Sequence, residues 1–575
     1  MEETRLTGYP SIDKPWLKYY SEEAINAPLP ECTAYELLYR NNKDHLNDIA
    51  LNYYDRKITY KELFDEIEKA AKGFVACGVQ AGDVVILSSV NSPEIVYSFY
   101  ALNRLGAVAN MVDPRTSEDD IYLYIRDSFA KVVVALEAVC PLMYRAGCRA
   151  NISKVISISP AYSLTPVKKL FYRARNKSPN LSSEIITWKE FVYAGETINA
   201  KYAEYTRAER CVIAHTGGTT GTPKGVILSN DNLNAIVHGY RFTGIPFERK
   251  QKFFADLPPF IMYGLCIGIH AALCSGLEVI LYPIFSPKDF PKQFKKYKPN
   301  HFADGADHIR YLSESSLTKK MDLSFLITAA VGGDGLSIEL EKKVNQFLLE
   351  HGCKFEVVKG YGMSECAATA FTTFKSANEL GSVGIPMVKN NVKIVDTDSG
   401  LELFYDEIGE IWISSPSMML GYMNNPDETS KLIIRGEEGE IWARTGDLGC
   451  ISNGGLLFHK GRIRRIYLSS VGDQPAKIFP LLVEEKLRES INITDCCVVG
   501  RPIGDSTYNE AVAFIVKCSQ KSDESLIEEL KDICRKSVPT YMAPVKYAFL
   551  DNLPLTPIGK VDYRALEELA KNIGK

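Results

Sequence analysis

The run Thr216-Gly217-Gly218-Thr219-Thr220-Gly221-Thr222-Pro223-Lys224-Gly225 brings together what a polyphosphate needs. Glycines let backbone N–H groups turn toward an anion with no Cβ in the way, threonine hydroxyls add donors, and Lys224 adds a full positive charge. The spacing is not that of G-x-x-x-x-G-K-[ST], which disfavours a P-loop kinase or ATPase. Further along stand Gly332-Gly333-Asp334, Tyr361-Gly362-Met363-Ser364-Glu365, Thr445-Gly446-Asp447 and Pro554-Leu555-Thr556-Pro557-Ile558-Gly559-Lys560-Val561-Asp562. Singly, Glu365 and Asp447 read as surface acids, Tyr361 as a core aromatic and Lys560 as a solvated charge. In this order they form a set.

That set resembles the acyl-adenylate-forming superfamily: acyl- and aryl-CoA synthetases, peptide-synthetase adenylation domains and beetle luciferases. The chain looks most like a fatty-acyl-CoA or 4-coumarate-CoA ligase. The resemblance implies that the loop 216–225 binds the ATP phosphates through Thr216, Gly217, Gly218, Thr219, Thr220, Gly221 and Lys224. It implies that Gly333 and Asp334 border the adenine, with Gly332 at the acyl pocket. Tyr361 would stack on adenine, with Gly362, Met363 and Ser364 beside it, and Glu365 would hold magnesium, helped by Thr216. Asp447 would bind the ribose hydroxyls with Arg462 nearby, and Lys560, the catalytic residue, would touch the carboxylate and the α-phosphate.

The chemistry implied is consistent with these residue types. A carboxylate attacking the α-phosphate of ATP brings anion to anion, so the site must neutralise charge with Mg2+ and a lysine while the loop holds the departing pyrophosphate. The acyl-AMP formed hydrolyses in water and must be shielded until a thiol, that of CoA, arrives. The family does this by rotating a small C-terminal domain, here hinged in Gly461-Arg462-Ile463-Arg464.

Three places depart from the family pattern. Arg464 stands at the hinge where Asp or Lys is usual, and Ser469 to Glu484 is about four residues longer than expected, with Leu482 in place of the first Glu of Pro-x-Glu-Ile-Glu. That loop helps admit the thiol, which keeps open an acyl-AMP ligase that loads a carrier protein. In Leu257-Pro258-Pro259-Phe260-Ile261-Met262, Ile261 takes a position often held by His or an aromatic. Ile261 and Met262 suit a medium or long apolar acid, with an aromatic acid next. No acid near them answers to the one that binds a substrate amine in peptide synthetases. A non-catalytic nucleotide-binding regulator is disfavoured by Glu365, Asp447 and Lys560 together.

These residues need an α/β scaffold. Ala50–Tyr60 reads as a hairpin and Lys61–Gly78 as an amphipathic helix. Val84–Ser89, a helix opened by Ser92-Pro93 and closed by Gly106, and Ala107–Val112 form a parallel βαβ unit. Cys211–Ala214 precedes the Gly/Thr loop, and a helix capped by Ser229 or Asn230 follows it. Phe325–Val331 and Phe355–Val358 also end in Gly-rich loops, where open α/β sheets bind ligands. From about residue 390 the text is strand-rich, as in a small β-barrel. The expected fold is a large N-terminal domain, 1–461, of two α/β sheet subdomains and a β-rich unit at about 390–461. A smaller mobile α+β domain, 462–575, follows and carries Lys560.

Composition excludes several classes. With 575 residues, 46% hydrophobic and 24% charged, the chain is an ordinary multi-domain globular sequence. Its net charge of −4 gives no global support for nucleic-acid binding. The 14 cysteines lack zinc-ribbon or secreted-disulfide spacing, and Met1-Glu2-Glu3 lacks the basic start of a signal peptide, so a cytoplasmic location is expected. Phe260–Tyr282, long enough to span a bilayer, reads instead as a buried helix and strand broken at Cys274-Ser275-Gly276. Residues 168–177 set Lys168, Lys169, Arg173, Arg175 and Lys177 around Leu170, Phe171 and Tyr172. They read as a solvated helix or, alternatively, a weak peripheral contact with an anionic membrane.

Overall fold

A computed structural model describes residues 6–152, 154–175, 181–216, 224–333, 335–436, 439–471, 474–504, 506, 508–555 and 561–573. Two large sheets dominate it. The first has eight strands in the order Gly421–Tyr422, Gly225–Ser229, Arg210–His215, Val108–Met111, Val84–Ser88, Ala130–Leu136, Val155–Ile158, Ile185–Thr187. The second has nine: Ile385–Pro386, Phe371–Thr372, Val358–Tyr361, Thr328–Val331, His301–Asp304, Lys252–Ala255, Glu278–Leu281, Ile49–Tyr53, Arg56–Thr59. The central pairings of both are parallel, so their strands end on a common side.

One core joins the sheets, drawing Val85, Leu87 and Met111 from the first and Phe253, Ala255 and Leu281 from the second. Helix Pro93–Leu105 is almost wholly buried within it. Ser92 caps that helix from Ile95 N–H, Pro93 fills the first turn, and Gly106 ends it at φ 72°, as its sequence requires. Helix Tyr60–Ala76 starts from a capping box of Thr59 and Glu62. The apolar stretch 260–282 is a π-helix, Gly264–Ala271, continued by Ala272–Cys274 and then the buried strand Glu278–Leu281. Among the described residues no helix is long and apolar enough to cross a membrane.

Two local expectations are corrected. The Gly/Thr loop does not run from a strand into a helix: Gly225–Ser229 is a strand antiparallel to Arg210–His215, and the helix Asn230–Arg241 begins only after it. The run Gly225-Val-Ile-Leu carries the β-branched residues of a buried strand, so the two segments that flank the Gly/Thr loop are an antiparallel pair. The strand placed at Phe355–Val358 instead begins at Val358 and includes Tyr361, whose backbone pairs with Phe371.

The β-rich unit is a five-stranded antiparallel sheet in which Ile441–Ile451 pairs with Gly409–Ser414, Ile433–Arg435 and Leu457–Arg462. After the short 3-10 turn Ile463–Arg465 comes a hairpin, Tyr467–Val471 with Gln474–Ile478. A three-stranded sheet follows, Ile493–Pro502, Asn509–Lys517 and Lys546–Phe549, with a separate apolar core on each face. The smaller C-terminal domain thus has its own interior, as the sequence implied.

Candidate active site

Asp447 lies in the long strand Ile441–Ile451, opposite Arg462 at the end of Leu457–Arg462. Only 5% of it is exposed. Its Oδ2 accepts a 2.7 Å hydrogen bond from the Tyr361 hydroxyl. Its Oδ1 is 3.2 Å from Arg462 Nε and 3.8 Å from His459 Nε2, an ion-pair geometry in which that oxygen accepts no hydrogen bond among the described residues. Burial alone would raise the Asp447 pKa, but His459, Arg462 and Tyr361 outweigh it and hold the carboxyl below its ordinary value. Burial pushes the Tyr361 hydroxyl well up, and the Asp447 charge adds to it, so Tyr361 stays a neutral donor. Its ring lies 5.6 Å from that of His459.

Beyond Tyr361 the chain makes a close crossing. A Cβ on Gly362 would stand 1.7 Å from Ala368 O, so only glycine fits. Met363 packs against the core beside Tyr361, and Ser364 opens a 3-10 turn that buries Glu365. Glu365 Oε1 accepts a 2.6 Å hydrogen bond from the Tyr422 hydroxyl, which leaves Oε2 without a hydrogen bond among the described residues.

Tyr422 links this acid to the phosphate-loop flanks. Lys224 Nζ stands 4.9 Å over the Tyr422 ring and pairs with Glu428, at the start of helix Pro426–Leu432. Lys224 N–H donates to Thr216 Oγ1 at 3.2 Å, and Thr216 N–H to Lys224 O at 3.0 Å, pinching the loop's two ends together. Burial raises the Tyr422 pKa first, the Glu365 charge second, while Arg464, from the 3-10 turn Ile463–Arg465, opposes the rise.

The region around Gly332 is built differently. Gly332 follows strand Thr328–Val331, and a Cβ there would meet the Tyr263 ring at 3.3 Å. Gly333 adopts φ 83°. Tyr263, Ile261 and Val358 pack against the main core that holds Met262, Tyr240, Ala303 and Ala330. A Cβ on Gly264 would sit 2.4 Å from Pro258 O, so the π-helix can begin this close to the 257–259 loop only at a glycine.

Of the sequence-predicted residues, the structure joins Tyr361, Asp447 and Arg462, and separately Thr216, Lys224 and Glu365 through Tyr422. It places Gly332 against Tyr263, and Met262 is a fully buried core residue. Gly217, Gly218, Thr219, Thr220, Gly221, Asp334 and Lys560 lie outside the described residues; near the last, Leu555 pairs with Val561, and Asp562 N–H donates to Pro554 O at 2.8 Å. Arg465, next to Arg464, is anchored in the C-terminal core: it pairs with buried Glu484, donates to Val498 O at 3.2 Å and covers the Tyr563 ring.

Sequence reasoning missed Tyr422, Glu428, His459 and Arg465. His459 sits three residues before Arg462 on a strand, a spacing that by itself puts the two on opposite faces, and the ladder is irregular between them, which no sequence signal announces; nothing in the spacing of Tyr422 points to Glu365.

The AMP-binding enzyme family matches residues 38–423, and the AMP-binding enzyme C-terminal domain matches residues 482–560. The chain belongs to the AMP-binding enzyme family. A long-chain-fatty-acid–CoA ligase of Bacillus subtilis is 28% identical over 576 residues, covering 97% of this chain and 99% of the relative. A 4-coumarate–CoA ligase-like 2 of Arabidopsis thaliana is 28% identical over 89% of this chain and 86% of its own. In fold, the anthranilate CoA ligase AuaEII in complex with anthranoyl-AMP superimposes with a TM-score of 0.80 at 22% identity, over 95% of this chain and 98% of that one.

Proposed function

We infer that the protein activates a carboxylic acid with ATP to an acyl-AMP and transfers the acyl group to the thiol of CoA, the acid being apolar and of the fatty class. The observation that carries this reading is Asp447: a buried, ionised carboxylate with one oxygen free of hydrogen bonds beside a tyrosine ring is a ready acceptor for a ribose diol next to an aromatic platform. The match to CoA ligases along nearly the whole chain supports the same reaction.

In this reading Tyr361, Asp447 and Arg462 hold the nucleoside, and Thr216, Lys224 and the loop between them hold the phosphates. The hydroxyl of Thr216 and the unbonded oxygen of Glu365 are hard donors that fit Mg2+. When bound, Mg2+ neutralises phosphate charge as the acid attacks. Lys560 bridges the carboxylate and the α-phosphate, and the apolar wall of Ile261, Tyr263 and Gly332 receives the acyl tail and keeps water from the anhydride. The domains divide at 461/462, and turning the C-terminal domain about Arg462–Arg464 exchanges Lys560 for the thiol path.

Purified protein with Mg-ATP and a pool of fatty and aromatic acids should give acyl-CoA only when CoA is present, read by mass spectrometry. Acyl-AMP accumulating whether or not CoA is added would favour the second reading, transfer to a carrier protein, which the hairpin 467–478 and Leu482 in the thiol-path segment support.

A peripheral membrane contact belongs to the same proposal. Helix Pro166–Arg175 turns Lys168 and Tyr172 toward the protein, on Asp55 and Glu137, and leaves Val167, Leu170 and Phe171 65%, 71% and 64% exposed. An outward apolar stripe beside Arg173 and Arg175 suits an anionic bilayer surface, where a fatty acid partitions. Sedimentation with anionic but not neutral liposomes is expected, and Phe171→Ser with Leu170→Ser should abolish it; equal sedimentation with both liposomes would remove the contact.

A further inference from the structure

The far face of the nine-stranded sheet carries a polar cluster inside an apolar core. Side chains alternate along each strand: Phe254 and Phe302 join the core of Phe290, Ile309 and Val331, while Ala255 and Ala303 join the opposite one with Tyr263. Two residues beyond Phe254 and Phe302, the same alternation puts Asp256 and Asp304 on the far face. Helix Ala306–Glu314 crosses above them and brings His308 one turn beyond Asp304. Asp256, Asp304 and His308 are 3%, 0% and 0% exposed. His308 Nε2 lies 3.1 Å from Asp256 Oδ2 and 3.8 Å from Asp304 Oδ1, and one donor atom from each residue falls within 4.8 Å of the others.

The cluster is unsatisfied as it stands. Asp256 Oδ1, both Asp304 oxygens and His308 Nδ1 have no hydrogen bond among the described residues, and the rings of Phe285 and Phe290 stand 5.0 and 5.2 Å from the imidazole. Burial, then the neighbouring Asp256 charge, pushes Asp304 well above the usual carboxylate range. A proton shared between the acids would satisfy at most one oxygen of each. A dication balances both carboxylates and engages the imidazole as well. One imidazole nitrogen and two carboxylate oxygens form a donor set suited to zinc rather than to magnesium or calcium, which prefer more oxygens. Neighbouring ligands of a tetrahedral zinc stand about 3.3 Å apart, between the two separations found here.

We propose that Asp256, Asp304 and His308 bind a divalent cation of the zinc class, at a site separate from that of Mg-ATP. The ion would act structurally. Asp256 is joined directly to Leu257-Pro258-Pro259, whose Leu257 carbonyl accepts from Asn91 Nδ2 at 2.9 Å and whose Pro258 carbonyl crowds Gly264. A metal on Asp256 would therefore pin the base of the segment that presents Ile261 and Met262. Because no acceptor among the described residues orients His308 Nδ1, affinity is expected to fall roughly 10- to 100-fold short of a fully supported zinc site.

The test uses full-length protein stripped with a chelator, re-equilibrated with zinc in the absence of nucleotide and freed of excess by gel filtration, beside Asp304→Asn and His308→Phe. One zinc per chain above the level in both variants is expected, with a wild-type melting temperature that rises with zinc and variant values that do not. Zinc content equal in wild type and a folded variant, or a wild-type melting temperature indifferent to zinc, would overturn the proposal. The second readout stands even where a variant does not fold.

Discussion

The end proposed to hold the nucleotide and the end proposed to hold the acid are built on opposite principles. At the nucleotide end each polar group is held by another: Tyr361 by Asp447, Asp447 by Arg462, Glu365 by Tyr422, Lys224 by Glu428. At the acid end the wall is apolar, and its shape comes from an absence of side chain, Gly332 against Tyr263 and Gly264 against Pro258. The first end is specified by partners and the second by volume. Substitutions should therefore fail differently at the two ends.

Lys560→Ala belongs to neither end alone and should lose the most, about 10²- to 10³-fold in adenylation rate, with ATP binding retained, because the proposed nucleotide contacts lie in the large domain. Pyrophosphate exchange with an unchanged rate would remove Lys560 from the reaction. At the acid end, Gly332→Val should cut kcat/KM for the longest accepted acid by roughly 10- to 200-fold and shift preference to shorter ones, leaving KM for ATP in place. A matching rise in KM for ATP would show that the two ends are not independent. At the nucleotide end, Asp447→Asn should weaken ATP binding by roughly 10- to 100-fold, by loss of a charged hydrogen-bond acceptor, with the acid profile unaltered.

The smallest effect concerns Lys224. Its hydrogen bond, then that of Lys431, pulls the Glu428 pKa down to about 2, so Glu428 stays ionised well below neutral pH and competes with phosphate for Lys224 throughout the working range. Glu428→Gln should lower KM for ATP by about two- to fivefold, the scale of an exposed ion pair, and the gain should shrink with added salt. In acid, the folded state gains from Asp447 above its ordinary unfolded value and loses that gain as pH falls through the lowered native one; Asp447→Asn should flatten this part of the acid unfolding curve.

Much of this was readable in the residues. The hairpin, the helix capped by Ser92 and closed by Gly106, and the order of motifs all rest on local signals, caps, turns and glycines, that act within a few positions. The helix capped by Ser229 was placed where it begins, but the buried strand Gly225–Ser229 before it went unread: its apolar run is too short for its period to decide. Tyr422, Glu428 and Arg465 were illegible for a different reason. Their roles come from partners 57, 204 and 19 residues away, a distance at which sequence spacing says nothing.

Asp447 serves two masters. It accepts from Tyr361 on one side and faces Arg462, the first residue past the proposed domain boundary, on the other. If the C-terminal domain turns as proposed, whatever factor a bound nucleotide applies to the balance of its orientations, each orientation must return to nucleotide affinity. A ligase that turned so would register the progress of its own cycle in how tightly it grips AMP.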